Sequence, residues 1–216
     1  MAGADDPALT RARLEGITDT IRVGLGAAHH AREEALPACR ACIRGASRAI
    51  RSVHRGEVDA VAAHLVESEE ALRTAQRTLD PFPALVHAGF LHDAEKEYAE
   101  ARLTEALVAG TPAPGPDELG VAPTAWMRGL SEAASELRRN LLDRLREGGL
   151  ERGEVLLGAM DDVYDVLSVV DYPDALTNGL RRSLDQLRAV LERSRGDVTT
   201  TVLQTRLQRA IEGADG

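Results

Sequence analysis

The stretch Phe90-Leu91-His92-Asp93-Ala94-Glu95-Lys96-Glu97-Tyr98-Ala99-Glu100-Ala101 concentrates side chains that can do chemistry. Residues three and four apart share a helix face, so Asp93, Glu97, Glu100 and Thr104 line one side. Like charges at that spacing repel, and a helix keeps such a strip when water screens it or when a cation occupies it. Further on, Ser131-Glu132-Ala133-Ala134-Ser135-Glu136-Leu137-Arg138-Arg139 places Glu132 and Glu136 four apart. Two helices could thus offer carboxylates to one metal ion.

The surroundings of these acids differ. Glu97 adjoins an apolar stripe of Phe90, Ala94, Tyr98 and Ala101 and is expected to be partly shielded, which calls for a partner. On the later helix the stripe is Leu130, Ala134, Leu137, Leu141 and Leu145, with Glu132, Glu136, Arg139 and Asp143 opposite it. In a lone subunit that face is solvated surface; in a hollow shell it lines the cavity. Arg40, Arg44, Arg48, Arg51 and Arg55 form a row opposite the Cys39, Ile43, Ile50 and Val53 stripe. This row is either a phosphate track or a solvated face paired to neighbouring acids. Arg138 and Arg139, beside Glu136, are placed to hold a phosphate. His92 lies near the acids, but the six histidines show no ligand spacing.

The elements that position these groups are all helical. Of 216 residues only six are aromatic, while Ala, Leu, Glu and Arg dominate, a mix that favours helix and offers little strand material. Asp6-Pro7 reads as a cap and first helical position. The periodicity then predicts one bent helix or two as far as Arg55, with weak points at Gly24, Gly26 and Pro37. A second helix follows Gly56, a third carries the acid strip to about Val108, and a fourth runs from Pro123 to about Glu147. A fifth spans Val155 to Leu167. A sixth follows Asp171-Tyr172-Pro173, with Leu176, Leu180, Leu184, Leu187 and Leu191 as its buried stripe and Gly196 as its stop. A seventh, capped by Asp197, runs through Leu203, Leu207 and Ile211. Residues 110–121, rich in Pro and Gly, read as an internal loop of a single domain spanning 1–216, because acids on both sides of it belong to one site.

Several functions drop out. The formal charge of −9 argues against general adhesion to nucleic acid, though not against a local basic track. No apolar run approaches a membrane span and the first residues lack signal-peptide character, so a cytoplasmic protein is expected. Cys39 and Cys42 lie on the apolar side of their helix without further zinc ligands, and read as buried free thiols. A ferritin-like di-metal bundle needs E-x-x-H pairs, which the chain lacks. Of 26 basic residues all are Arg except Lys96, a skew that suits phosphate contact but is equally explained by codon usage in a GC-rich genome.

The string KEYAEA at Lys96 to Ala101, with APTAWMRGLSEAASELRR from Ala122 to Arg139, resembles the translin/TRAX family, in particular its single-gene archaeal form. The resemblance runs over nearly the whole chain. It implies an all-α, seven-helix antiparallel bundle that assembles into a hollow homo-oligomer, an octamer. In the TRAX branch an E-Y-x-E helix and a D/E-x-x-x-E helix bind a divalent metal and cleave single-stranded RNA. The corresponding carboxylates here are Glu97, Glu100, Glu132 and Glu136, implied to hold one or two Mg²⁺ or Mn²⁺. TRAX-type members have Asp where this chain has Glu132, one methylene longer. Cys39-Arg40 and His54-Arg55 match S-R and H-R elements of TRAX-like chains, which supports the arginine row as a nucleic-acid surface. The resemblance thus implies a metal-dependent endoribonuclease acting on single-stranded RNA. The alternative is a translin-type binder of single-stranded RNA or DNA that does not cut. A protein-binding helical scaffold is a third reading.

Overall fold

The computed structural model describes residues 7–214, with side chains described for 10–212; Asp6, read above as a cap, lies outside the described residues. Nine helices are present among them: α1 (Pro7–Arg55), α2 (Val58–Leu79), α3 (Pro83–Val86), α4 (Phe90–Ala109), α5 (Pro116–Leu119), α6 (Pro123–Arg146), α7 (Leu150–Ser168), α8 (Asp174–Thr177) and α9 (Leu180–Ala214). No strand occurs among the described residues. The all-α expectation holds, but the count of seven does not. Three proline-led segments that lack room for a periodic signal form single helical turns at α3, α5 and α8. The two expected C-terminal helices are one.

The α1 helix runs unbroken for 49 residues. Gly24 and Gly26 have open space around them, and Pro37 sits on an exposed side. Its second half buries Ala31, Ala35, Cys39, Cys42, Ala46 and Ala49, spaced three and four apart. The stripe on α2 (Val61, Leu65, Ser68, Leu72, Ala75, Leu79) has the same period, which gives the two helices a continuous antiparallel seam. Residues 10–27 of α1 are exposed throughout. Leu14, Ile17, Ile21 and Leu25 on that arm are therefore largely uncovered among the described residues.

The central pair is α4 and α6. On α4, Leu91, Ala94, Tyr98, Ala101 and Leu103 face α1 and α2 on one side and α6 on the other, so burial extends round most of the helix. The α6 helix is held between α4, α7 and α9. Leu137, Leu141, Leu156, Met160, Leu191 and Val198 make a second apolar cluster at its C-terminal end. Gly196 does not stop α9. It is exposed at a cost of roughly 1 kcal/mol relative to Ala, while Leu191 and Val198 on either side are buried. Asp197, expected to cap a helix, instead accepts from Arg138 of α6 at 2.7 Å. Leu176, expected in the buried stripe, is exposed, as are Leu203, Leu207 and Ile211.

The 110–121 loop is tied to the bundle. Arg73 donates to the carbonyls of Leu119 (2.6 Å) and Gly120 (2.9 Å). The Trp126 indole donates to the Pro114 carbonyl at 2.9 Å. Glu95 accepts from Gln76 and from the Ala122 backbone, which fixes the start of α6 against α4. Cys39 and Cys42 are free and buried; burial pushes their thiols up to about 11 and about 12, so they are inert. No helix among the described residues is long and apolar enough to cross a membrane.

Candidate functional site

The site begins with a missing side chain. Gly129 of α6 lies against α4 so closely that a Cβ there would stand 2.9 Å from the Glu100 nitrogen and from the Lys96 carbonyl oxygen. This approach brings Glu132, one turn further along α6, onto the Lys96 to Glu100 segment. Glu132 is therefore half-buried at the helix interface and not on a solvated face opposite the core. The helix wheel misplaced it because α6 is enclosed on several sides.

Glu97, Glu100 and Glu132 each offer a carboxylate oxygen within 4.8 Å of the others. Ligands to one octahedral ion at about 2.1 Å lie about 3.0 Å apart in cis and about 4.2 Å in trans, so small rotations close the set. Lys96 stands among them: its Nζ donates to Glu97 Oε1 at 2.8 Å, bonds closely to Glu132, and lies 3.8 Å from Glu100 Oε2. Burial favours the neutral amine, but the hydrogen bonds to Glu132 and Glu97 outweigh it and hold the Lys96 pKa above its ordinary value. Burial, followed by the Glu97 charge, pushes the Glu100 carboxyl up to about 8. One ammonium thus leaves the three acids with surplus negative charge. All-carboxylate donors that already hold a stand-in cation fit a hard divalent ion such as Mg²⁺ or Mn²⁺.

Glu136 is not part of this trio. Its Oε2 meets His54 Nε2 at 2.7 Å, and His54 Nδ1 lies 3.0 Å from Asn140 Nδ2. With the Asn140 amide donating to Nδ1, Nε2 carries the proton that is donated to Glu136. The His54 side chain is only 3% exposed. It is therefore a clamp between α1 and α6 and presents no free ring to a nucleic acid. Asp93 is exposed. His92 pairs with Thr124 at 3.1 Å, and burial, then Arg128, lowers its pKa.

All five arginines of the α1 row are exposed. Arg48 pairs with Glu67 at 3.1 Å and Arg55 with Glu57 at 2.8 Å. Arg40, Arg44 and Arg51 show no ion pair among the described residues. Arg51 lies one turn before His54, so their side of α1 leads to the contact with Glu136. Arg138 is engaged by Asp197 and Ser194 of α9. Arg139 is exposed and shares a shallow depression with Glu136, Ser135 and Arg146. Periodicity did not find Lys96, His54 or Gly129 as parts of the site. The one available signal was a sole lysine placed among acids.

No family model matches the chain. Over 183 residues it is 28% identical to an uncharacterized protein of Methanocaldococcus jannaschii, covering 84% of this chain and 81% of that protein. Among solved structures it is similar to the crystal structure of AfC3PO, with a TM-score of 0.79, 28% identity, and coverage of 87% of this chain and 97% of the other. The AfC3PO complex with duplex RNA matches with a TM-score of 0.77 at the same identity and coverage. The crystal structure of apo-NeC3PO matches in fold, with a TM-score of 0.76 and 18% identity over 92% of this chain and 100% of the other.

Proposed function

We propose that this chain, translin/C3PO-like by its similarity to the AfC3PO structures, binds RNA and is a metal-dependent endoribonuclease acting on single-stranded RNA. The observation that carries the reading is the trio of Glu97, Glu100 and Glu132 drawn round a buried ammonium between two helices. The solved complex of AfC3PO with duplex RNA supports RNA as the ligand class.

Glu97, Glu100 and Glu132 would hold Mg²⁺ or Mn²⁺, with Glu136 next to them along α6. When bound, such an ion makes water a stronger nucleophile and stabilises negative charge on the phosphate and leaving oxygen. Arg40, Arg44 and Arg51 hold the strand by its phosphates, and their side of α1 delivers it toward α6. His54 fixes Glu136 in one orientation. Glu136, half exposed at the end of the acid row, can take a proton from water or hold it by hydrogen bond. The exposed apolar rows at the ends of α1 and α9 support a homo-oligomer, proposed as an octamer with the acids facing its cavity.

Incubation of labelled single-stranded and duplex RNA with Mg²⁺, Mn²⁺ or EDTA tests the reading. Metal-dependent internal cleavage of the single strand is expected. Absence of cleavage with retained, salt-dependent binding of single-stranded RNA or DNA would assign the chain to the non-catalytic branch. One observation favours that second reading: every acid of the set already has a partner, Lys96 or His54, within the chain.

A further inference from the structure

Lys96 is the sole lysine among 26 basic residues, and it stands at the centre of the acid cluster. Its side chain is 10% exposed, like that of Glu100. An ammonium suits this position in a way that a guanidinium does not. It is a compact charge with three donors on a flexible stem, able to turn to three carboxylates that do not share a plane, whereas Arg presents a planar fork. The same carboxylates cannot serve both cations at once. A hard divalent ion takes their oxygens at about 2.1 Å and would fill the space that the nitrogen now occupies. Without either cation, three half-buried or buried acids would face one another unscreened as the α4 and α6 interface forms.

We propose that the Lys96 ammonium is a resident place-holder for a divalent cation: it neutralises the acid cluster in the metal-free chain, and the ion loads by displacing it to solvent. The inference rests on the proposed metal-binding reading of the same residues. It makes metal affinity a difference between two cations competing for one set of oxygens, so the site fills only where the divalent ion outcompetes a tethered amine.

Two readouts test this without RNA. Mn²⁺ titrated into metal-free protein, followed by calorimetry, should bind Lys96→Gln at least about tenfold more tightly than wild type, because a competing charge at contact distance has been removed. In the wild-type protein, acylation of Lys96 by N-hydroxysuccinimidyl acetate, followed by peptide mass spectrometry, should be slow in EDTA and rise severalfold with Mg²⁺ as the amine is released. This second readout needs no variant and stands even if Lys96→Gln folds poorly. Mn²⁺ binding of equal strength in both proteins, with acylation unchanged by bound Mg²⁺, would overturn the place-holder role and leave the metal site standing. Failure of both proteins to bind Mn²⁺ would overturn the metal-binding reading and the place-holder together.

Discussion

Gly129 lies against Glu100 with no room for a side chain: a Cβ would come within 2.9 Å of the Glu100 backbone nitrogen and of the Lys96 carbonyl oxygen. Both obstacles are backbone, so relief requires α6 to move away from α4. Gly129→Ala is expected to cost about 1–3 kcal/mol, as overpacking does, against a small gain in helix propensity. Because Glu132 follows on the next turn, the same movement opens the carboxylate trio. Thermal unfolding and Mn²⁺ titration of the variant should both report the change, whereas Gly24→Ala on the open arm should leave stability unchanged or slightly raised.

Glu100 gives the metal-free protein a pH dependence. Burial and the Glu97 charge raise its pKa from the ordinary 4.5 to about 8, so the folded chain holds this proton more tightly than the unfolded one. Its contribution to stability is fully present below about pH 4.5 and is lost as pH rises through about 8. In EDTA, the Tm of Glu100→Gln relative to wild type should therefore improve between about pH 5 and about pH 9. Mg²⁺ should reverse the ranking at the higher pH, since it stabilises only the protein that keeps the carboxylate.

Much of this arrangement is written in local periodicity. The α1 and α2 seam, the buried thiols and the acid strip around Glu97 follow from residues three and four apart. Glu132 escapes that logic, because its burial depends on a second helix reaching Gly129. The His54 and Glu136 pair likewise joins residues 82 positions apart. Gly196 carries a local stop signal that packing of Leu191 and Val198 overrides. The row on α1 shows the same limit: spacing identifies five arginines on one face, but only neighbouring Glu67 and Glu57 reveal that two of them are already paired.

Nucleic-acid affinity is accordingly expected to depend more on Arg44 and Arg51 than on Arg48. Removing one arginine that neutralises a phosphate of a single strand should reduce the log–log salt slope by about 0.7. Arg44→Ala with Arg51→Ala should weaken RNA binding and flatten the slope by about 1.4. Arg48→Ala, which also frees Glu67, should change the slope less. Filter binding over a range of KCl concentrations makes the measurement, and equal slopes for all variants would assign the row to solvation alone.

Leu14, Ile17, Ile21 and Leu25 on α1, with Leu203, Leu207 and Ile211 on α9, are exposed in the single chain. Such rows are ordinarily covered by another subunit. Light scattering at micromolar concentration should give a closed homo-oligomer, proposed as an octamer, and Ile17→Asp with Ile21→Asp should dissociate it. A wild-type monomer would rule the assembly out.

The carboxylates themselves provide the sharpest comparison. Glu97→Gln keeps size and hydrogen bonding but removes charge from the trio, so cleavage of single-stranded RNA and Mn²⁺ affinity should both fall by orders of magnitude. Glu136→Gln acts differently, because its carboxylate is held by His54 and stands outside the trio. Cleavage should fall steeply while most Mn²⁺ affinity remains, separating a residue that positions water or phosphate from residues that hold the ion. RNA binding should persist in both variants, or tighten as negative charge is removed beside the strand. Asp143→Asn, on the next turns of α6 and paired with the exposed Arg146 at 3.6 Å, is the control and should cost little in stability or activity. Wild-type cleavage that continues in EDTA, or full metal-dependent activity in both Gln variants within an intact oligomer, would remove the carboxylate mechanism and leave an RNA-binding protein.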